Sequence, residues 1–323
     1  MKHSLELTEI NKTKDILNNS KKIIALCHAN PDPDAIGSVM ATYLALKSIG
    51  LDITPACYDP LPKKMDFIAE SDQLVQTFDE ELYDTVIILD CGSEKMIRFQ
   101  EEQPKILSKE VQIINIDHHP TNTRYGNANF IHTDQASTTQ ILYHLFEALE
   151  IKITPEISTA LLMGIYGDTG SFMHQNTTKD TYLVAADLMR KGGNVGLITK
   201  NLFRNYNFKT LKLWGKVLEN LHISSEGAAI VGVEREDYQT LGCTRNDLAG
   251  VIDIINSMPE AEYCVILSED EKGNVKASLR TRRDDLDMKA LAEKYGGGGH
   301  VKASGFVIPG GKLQKEVKWK IVQ

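Results

Sequence analysis

Carboxylate and imidazole side chains follow the ends of four apolar segments in the first 170 residues of the chain. The residues concerned are His28, Asp32 and Asp34 in HANPDPD, Asp90 in LDCGS, Asp117, His118 and His119 in DHHP, and Asp168 in GDTGS. Carboxylate oxygens and imidazole nitrogens are the ligands that divalent cations such as Mn²⁺ take from proteins. The spacing therefore predicts a metal centre assembled from acids and histidines.

This many carboxylates in one place need positive charge. Neighbouring carboxylates repel one another and raise one another's pKa, and a pair of divalent cations removes that conflict. Two cations about 3.5–4 Å apart hold a bridging hydroxide and stabilise both oxygens of an in-line displacement at phosphorus. The ligand set needs no thiolate, which favours Mn²⁺, with Mg²⁺ or Co²⁺ as alternatives, over structural zinc. We therefore expect hydrolysis of a phosphate ester.

Each residue taken alone has a simpler interpretation. An Asp that follows a strand commonly forms a turn or caps a helix, and Asp34 is placed to cap a helix predicted over 35–49. Turns and caps do not require all four motifs within one domain. The combination therefore favours the metal centre over the structural roles.

A second group of residues suggests an anion site further along the chain. Four glycines precede a histidine in Gly296–His300, and Lys276, Arg280, Arg282 and Arg283 come before them. Consecutive glycines let a backbone approach a phosphate closely and present N–H groups to it. We expect the residues from Val301 to Ser304 to open a helix that adds to this site. Beside a phosphate-cleaving centre, these features predict a clamp for the non-reacting end of a nucleotide.

The elements that position these residues alternate between strands and helices. Buried strands are predicted at 22–28, 85–90 and 111–116, and helices at 35–49, 135–149, 156–164 and 178–191. The predicted class is α/β, with an N-terminal, mainly parallel sheet that has helices on both faces and a smaller C-terminal α/β domain joined by a helical connector. The carboxyl ends of parallel strands lie along one crevice, where ligands bind.

The predicted domains are a catalytic domain at 1–195, a helical connector at 196–222 and a substrate-binding domain at 223–323. A length of 323 residues supports two domains. The net charge of −8 disfavours binding of long duplex nucleic acid, and no apolar run reaches the roughly 20 residues of a membrane span. Five scattered cysteines without a CxxC pair indicate a reducing cytoplasm.

These motifs resemble those of the DHH family of phosphoesterases, which is named for the triplet found here at 117–119. The GGGGH run resembles that of the DHH-associated domain that accompanies the catalytic domain in this family. The resemblance covers essentially the whole chain, with every signature in order. It is closest to the branch of compact two-domain enzymes that use Mn²⁺ to degrade very short oligoribonucleotides and to remove the 3′-phosphate of 3′-phosphoadenosine 5′-phosphate (pAp).

The resemblance implies a role for each motif. One metal ion would be bound by His28 and Asp32, with Asp90 as the bridge to the second. The second ion would be held by Asp34, Asp90, His118 and Asp168. His119 would face the substrate phosphate and Asp117 would orient the histidine pair, although which of the two histidines is the ligand stays open.

The resemblance also implies substrate contacts and an assembly state. Arg280, Gly298, Gly299 and His300 would contact the phosphate and the nucleotide, and a role for Arg283 rests on its charge alone. A homodimer is implied as well. A phosphodiesterase for cyclic or linear dinucleotide signals (c-di-AMP or pApA) would use the same metal site. A non-catalytic nucleotide-binding regulator would be expected to lack some of the ligands, and all of them are present.

Overall fold

The computed structural model describes residues 5–314, so residues 1–4 and 315–323 at the outer ends of the predicted domains lie outside the described part. The chain divides into two compact units, with the boundary between Asn205 and Tyr206. None of the helices in the described part combines the length and the apolar character needed to cross a membrane.

The first unit is built on a five-stranded parallel sheet, in the order β2-β1-β3-β4-β5. Its strands are β1 (Ile23–Cys27), β2 (Ile53–Ala56), β3 (Thr85–Leu89), β4 (Gln112–Asp117) and β5 (Ala128–Ile131). Every residue of β1 and β3 is buried, which is why these strands are continuous apolar runs in the sequence. The predicted α/β class is confirmed.

Six α-helices lie in the described part of the first unit. They are α1 (Leu7–Asn19), α2 (Pro33–Ser48), α3 (Thr138–Ala148), α4 (Pro155–Asp168), α5 (Lys179–Arg190) and α6 (Val195–Phe203). Residues of α1 to α4 pack with Ala25, Ile87 and Ile114 of the sheet in the larger apolar core. Ile24, Ile88 and Ile113 enter a second core with Phe99 and Ile106, which lie in short 3₁₀ turns.

Helix α2 begins two residues earlier than the sequence indicated, at Pro33. Pro33 occupies its first turn, and Asp32 is the N-cap, with a side chain that accepts hydrogen bonds from the N–H groups of Asp34 and Ala35. The expectation that Asp34 caps this helix is therefore wrong. Proline suits the first helical position because it has no N–H to satisfy, and this moves the cap back to Asp32.

Two glycines let α2 and α4 approach each other closely. A Cβ atom added at Gly37 would lie 2.6 Å from the carbonyl oxygen of Ala160, and one added at Gly164 would lie 2.4 Å from Oδ1 of Asp34. At either distance the neighbouring atoms would have to move to admit a side chain. The close approach sets Asp34, near the start of α2, beside α4, the helix that ends at Asp168.

The second unit contains a six-stranded mixed sheet, in the order β10-β11-β9-β8-β7-β6. Its elements are α7 (Phe208–Glu219), β6 (His222–Ile223), β7 (Ala228–Val233), α8 (Arg235–Gln239), α9 (Val251–Asn256), β8 (Tyr263–Glu269), β9 (Val275–Thr281), α10 (Met288–Glu293), β10 (Gly298–His300) and β11 (Ala303–Ile308). Helices α7 to α9 pack against the face that carries Cys264 and Ile266, and α10 packs against the face that carries Ala277 and Leu279.

The glycine run forms part of a hairpin. Residues 298–300 are strand β10, which pairs antiparallel with β11, so the helix expected from Val301 to Ser304 is not formed. Gly299 has φ +137°, which side chains of L-residues rarely permit. A Cβ atom at Gly297 would lie 2.2 Å from the carbonyl oxygen of Gly305. The glycines therefore serve a close backbone approach within the sheet.

Candidate metal centre

Three neighbouring strands of the first unit bring the predicted ligands together at their carboxyl ends. His28 directly follows β1, Asp90 follows β3, and His118 follows β4. Because β3 lies between β1 and β4, Asp90 stands between the two histidines. Nε2 of His28 is 3.6 Å from Oδ2 of Asp90, and Nε2 of His118 is 3.6 Å from Oδ1 of the same carboxylate.

Potential ligand atoms form three overlapping groups, in each of which all atoms lie within 4.8 Å of one another. The groups are His28, Asp32 and Asp90; Asp90, His118 and His119; and Asp34, His118 and Asp168. Asp90 belongs to two groups and His118 to two. The arrangement can therefore hold two cations side by side, with the Asp90 carboxylate between them.

The buried carboxylates of this site destabilise one another's charged forms. Asp34 and Asp90 are 0% and 1% exposed. Burial, together with the charge of Asp90, raises the pKa of Asp34 to about 7. Burial also raises the pKa of Asp168 well above its usual range, and the charges of Asp34, Asp90 and Asp32 add to the rise. Divalent cations would relieve this repulsion, so the residues present fit a metal pair.

The pKa values of the two adjacent histidines shift in opposite directions. Burial lowers the pKa of His118, which favours the neutral imidazole that binds metal. Burial alone would also lower the pKa of His119, but its hydrogen bond to Asp117 and the charge of Asp90 outweigh that effect and raise it to about 9. Nε2 of His118 also lies 3.2 Å from Oδ2 of Asp168. These differences favour His118 as the metal ligand.

Asp117 is the last residue of β4 and is fully buried. Its Oδ1 lies 2.7 Å from Nδ1 of His119, and its Oδ2 accepts a hydrogen bond of 2.8 Å from Nδ2 of Asn122. Burial would raise the pKa of Asp117, but the bond to His119 and the charge of His119 keep it below its usual value. Asn122 is not among the residues predicted from the sequence, although it lies only three residues beyond the triplet.

The start of helix α3 holds two of the carboxylates. Oδ2 of Asp34 accepts a hydrogen bond of 2.7 Å from the N–H of Thr138, and Oδ1 accepts bonds from the N–H and Oγ1 of Thr139 at 3.0 and 2.7 Å. Oγ1 of Thr138 donates to Oδ1 of Asp90 at 3.1 Å. The positive end of the helix dipole thus faces the acidic cluster. The sequence feature that could have indicated these contacts is the run Ser137-Thr138-Thr139.

Asp168 reaches the centre from a helix end, whereas the other acids follow strands or lie at the start of α2. It is the last residue of α4, and the next turn contains three left-handed residues, Gly170, Ser171 and Phe172. The side chain of His174 contacts the end of α4, with Nδ1 3.0 Å from the carbonyl oxygen of Asp168. Three of the four predicted motifs therefore follow strands, and the fourth, with Asp168, lies at the end of a helix.

The predicted substrate residues lie in the second unit. Arg280 on β9 and His300 on β10 both pair with Ala303 of β11, so the three residues form one row across the sheet. Gly298 and Gly299 precede His300 on β10. Arg283 follows β9, and its guanidinium makes two hydrogen bonds to Asp285, at 2.8 and 2.6 Å. The row thus contains Arg280 and His300, while the charge of Arg283 is engaged by a carboxylate.

Comparisons with known proteins place both units in recognised families. Residues 22–165 match the model of the DHH family, N-terminal domain, and residues 231–319 match the DHHA1 domain. The chain is 32% identical over 286 residues to the bifunctional oligoribonuclease and PAP phosphatase NrnA of Thermus thermophilus, covering 88% of this chain and 83% of the relative. It is 25% identical to the Bacillus subtilis protein of the same name, over 88% and 89% of the two chains.

Solved structures with the same fold include an exopolyphosphatase-related protein from Bacteroides fragilis. It has a TM-score of 0.88 and 23% identity, and covers 95% of this chain and 92% of its own. RecJ of Thermus thermophilus in complex with Mn²⁺ has a TM-score of 0.55 and 15% identity, over 95% of this chain and 53% of RecJ. At these identities the structures establish the fold.

Proposed function

Because the chain belongs to the DHH family, we propose that it is a metal-dependent phosphoesterase that hydrolyses very short oligoribonucleotides to mononucleotides and converts pAp to AMP. The observation that carries the proposal is the position of Asp90 between His28 and His118, within three overlapping groups of ligand atoms. The Thermus thermophilus and Bacillus subtilis relatives, which match over more than four fifths of each chain, bear both activities in their names.

The donor set supports two metal ions. One would be held by His28, Asp32 and Asp90, and the other by Asp34, His118 and Asp168, with Asp90 shared. When bound, such a pair lowers the pKa of a water molecule and neutralises negative charge that develops on phosphoryl oxygens. Mn²⁺ is the proposed ion, with Mg²⁺ and Co²⁺ as alternatives, because the ligands are carboxylates and imidazoles.

His119 is the proposed general acid of the reaction, and Asp117 orients its ring. A pKa raised to about 9 keeps His119 protonated at neutral pH. In that state it can stabilise negative charge on the phosphoryl group or donate a proton to the leaving 3′-oxygen. Asp117, held by Asn122, fixes the ring orientation through Nδ1.

The second unit is proposed to bind the part of the nucleotide that does not react. Arg280 offers a guanidinium for a phosphate, and His300, Gly298 and Gly299 lie beside it on the sheet. Arg283 contributes by charge, reduced by its pairing with Asp285. A homodimer in a reducing cytoplasm completes the proposal, the latter supported by five unpaired cysteines.

Product analysis tests this proposal. The enzyme is incubated with pAp, pApA, c-di-AMP and an RNA ladder of two to five nucleotides, with Mn²⁺ and with a chelator. We expect AMP from pAp and mononucleotides from the ladder, and no turnover with the chelator. Turnover confined to c-di-AMP or pApA would assign the chain to dinucleotide signals instead. If the enzyme turned over none of these substrates in a metal-dependent way, the proposal would be overturned.

A further inference from the structure

The turn between α4 and α5 has an unusual backbone conformation. Gly170, Ser171 and Phe172 follow one another with φ angles of +53°, +61° and +65°. This left-handed region is unfavourable for Ser171 and Phe172, so contacts elsewhere must stabilise the turn. The ring of Phe172 contacts a tyrosine ring of α4 and one of α5, with centroid distances of 5.5 and 5.3 Å. The surrounding helices therefore hold the turn in one defined path.

Asn176 lies at the end of this turn and joins two elements of the candidate metal centre. Its Nδ2 donates hydrogen bonds to the carbonyl oxygen of Ala136 at 3.0 Å and to that of Asp168 at 3.3 Å. Ala136 directly precedes Ser137, the N-cap of α3, whereas Asp168 is the last residue of α4. A single amide group therefore ties the start of α3 to the end of α4.

Both of these helix ends serve the same proposed cation. Asp168 belongs to the group of ligand atoms that also contains Asp34 and His118, all within 4.8 Å of one another. Asp34 is held at the start of α3, because its carboxylate accepts hydrogen bonds from Thr138 and Thr139. The two carboxylates carry like charges that repel each other, and the amide at the end of the turn opposes the separation of the helix ends.

We propose that Asn176 is a positioning residue for the metal ion held by Asp34, His118 and Asp168. The inference rests on the proposed function and deepens it by assigning the residue that sets the geometry of one of the two ions. The amide acts through the backbone of Asp168 and the start of α3, and needs no contact with metal or substrate. Hydrogen bonds that orient metal ligands in this way typically change metal affinity by about 10- to 100-fold.

Mn²⁺ titration of Asn176→Ala tests the proposal. The wild type should bind two ions, and in the variant one of them should bind about 10- to 100-fold more weakly while the other stays within about twofold. Calorimetry gives the two affinities, and electron paramagnetic resonance shows whether a coupled Mn²⁺ pair is present. Turnover of pAp should fall at low Mn²⁺ and recover as Mn²⁺ is raised, because Asn176 takes no part in the chemical step.

Thermal denaturation separates positioning from a general loss of stability. A purely structural role would lower the Tm by the same amount in chelator and in Mn²⁺. We expect instead that the rise in Tm produced by Mn²⁺ becomes smaller, because a bound ion stabilises the folded state according to its affinity. Asn176→Gln keeps an amide donor at this exposed position and should recover part of the lost affinity.

Asn19→Ala is the matched control. Asn19 ends α1, and its Nδ2 also donates to a backbone carbonyl, that of Asp15, at 2.7 Å. The next residue, Ser20, contacts Thr85 at the start of β3, so this amide lies at the edge of the sheet opposite the candidate metal centre. The control should leave both Mn²⁺ affinities unchanged.

The outcomes for this role and for the proposed function are distinct. If the wild type binds two ions and Asn176→Ala weakens one of them, but neither pAp nor RNA is hydrolysed, the proposed function fails and the role of Asn176 stands. Equal weakening of both ions, or unchanged affinities, would overturn the role of Asn176. A wild type that hydrolyses these substrates with a single bound ion would overturn it as well and leave the proposed substrates in place.

Discussion

The imidazole of His119 is held by the carboxylate of Asp117, with 2.7 Å between Nδ1 and Oδ1. The carboxylate is itself buried and receives a hydrogen bond from Asn122. A buried, anchored carboxylate at this distance both fixes the ring and favours its protonated form. The pair therefore acts on the proposed chemistry through orientation and charge together.

Asp117→Asn should weaken both the orientation and the protonation of His119 while leaving metal binding intact. We expect kcat to fall by about 10²-fold or more, the usual contribution of a general acid, while the metal content stays near that of the wild type. His119 loses the bond that raises its pKa, so the decline in activity on raising the pH should begin at lower pH than in the wild type. Rate profiles from pH 6 to pH 9.5, with metal analysis, provide the check. A wild-type pH profile in this variant would contradict the assignment.

Asp90→Asn should abolish turnover at any Mn²⁺ concentration without unfolding the protein. Asp90 has φ +59°, and asparagine tolerates this left-handed conformation, so the backbone is expected to survive the change. The variant loses the carboxylate charge shared by two of the ligand groups. Turnover and circular dichroism are measured together, with the exposed Asp72→Asn as the control. Near-normal turnover in a folded Asp90→Asn protein would remove Asp90 from the centre.

Gly164→Ala should damage the candidate metal site by displacing Asp34 or Thr139. The new Cβ atom would lie 2.4 Å from Oδ1 of Asp34 and 2.3 Å from Oγ1 of Thr139, so α4 or the Asp34 carboxylate must move. We expect a loss of about 1–3 kcal/mol in the free energy of unfolding and weaker Mn²⁺ binding.

Gly215→Ala is the matched comparison, because its Cβ would meet nothing within 4 Å on helix α7. It should stabilise the protein by about 0.5–1 kcal/mol. Thermal denaturation and metal titration of both variants decide the matter, and equal behaviour would show that the tight packing at Gly164 is unimportant.

Mn²⁺ binding should tighten as the pH rises from 6 to 8. Burial and the charge of Asp90 raise the pKa of Asp34 to about 7, and the hydrogen bond and charge of Asp90 raise that of His28 to about 9 against the effect of burial. Both groups must lose protons to act as ligands, so protons compete with the metal at the lower pH. Calorimetry in buffers of different ionisation enthalpy should detect proton release, and pH-independent affinity without release would refute this view of the site.

Arg280→Gln should impair natural substrates selectively. The guanidinium is proposed to contact a phosphate that a small aryl phosphodiester lacks, so kcat/KM for pAp and pApA should fall about tenfold or more, with little change for the aryl substrate. Arg283→Gln should cost less, because its guanidinium is already engaged by Asp285. Equal losses on nucleotide and aryl substrates would argue against substrate binding by Arg280.

Much of the fold follows from short-range patterns in the sequence. Strands β1 and β3 are short and almost entirely apolar, which is the pattern of buried parallel strands. Strand β4 (QIINID) contains three isoleucines and three polar residues, and all but its first residue are buried. The ligand motifs follow from this, because the parallel direction of β1, β3 and β4 brings His28, Asp90 and His118 to one edge. Two local predictions were wrong: that Asp34 caps α2, and that a helix begins between Val301 and Ser304.

The sequence by itself determined which side chains were available as ligands and which strand ends presented them. Only the tertiary structure decided how the carboxylates are held, since Asp34 is bound by Thr138 and Thr139, more than a hundred positions away. It also decided that the glycines before His300 form a strand against β11. Periodicity and turn preferences act between near neighbours along the chain, whereas these contacts depend on helices and strands that meet only after folding.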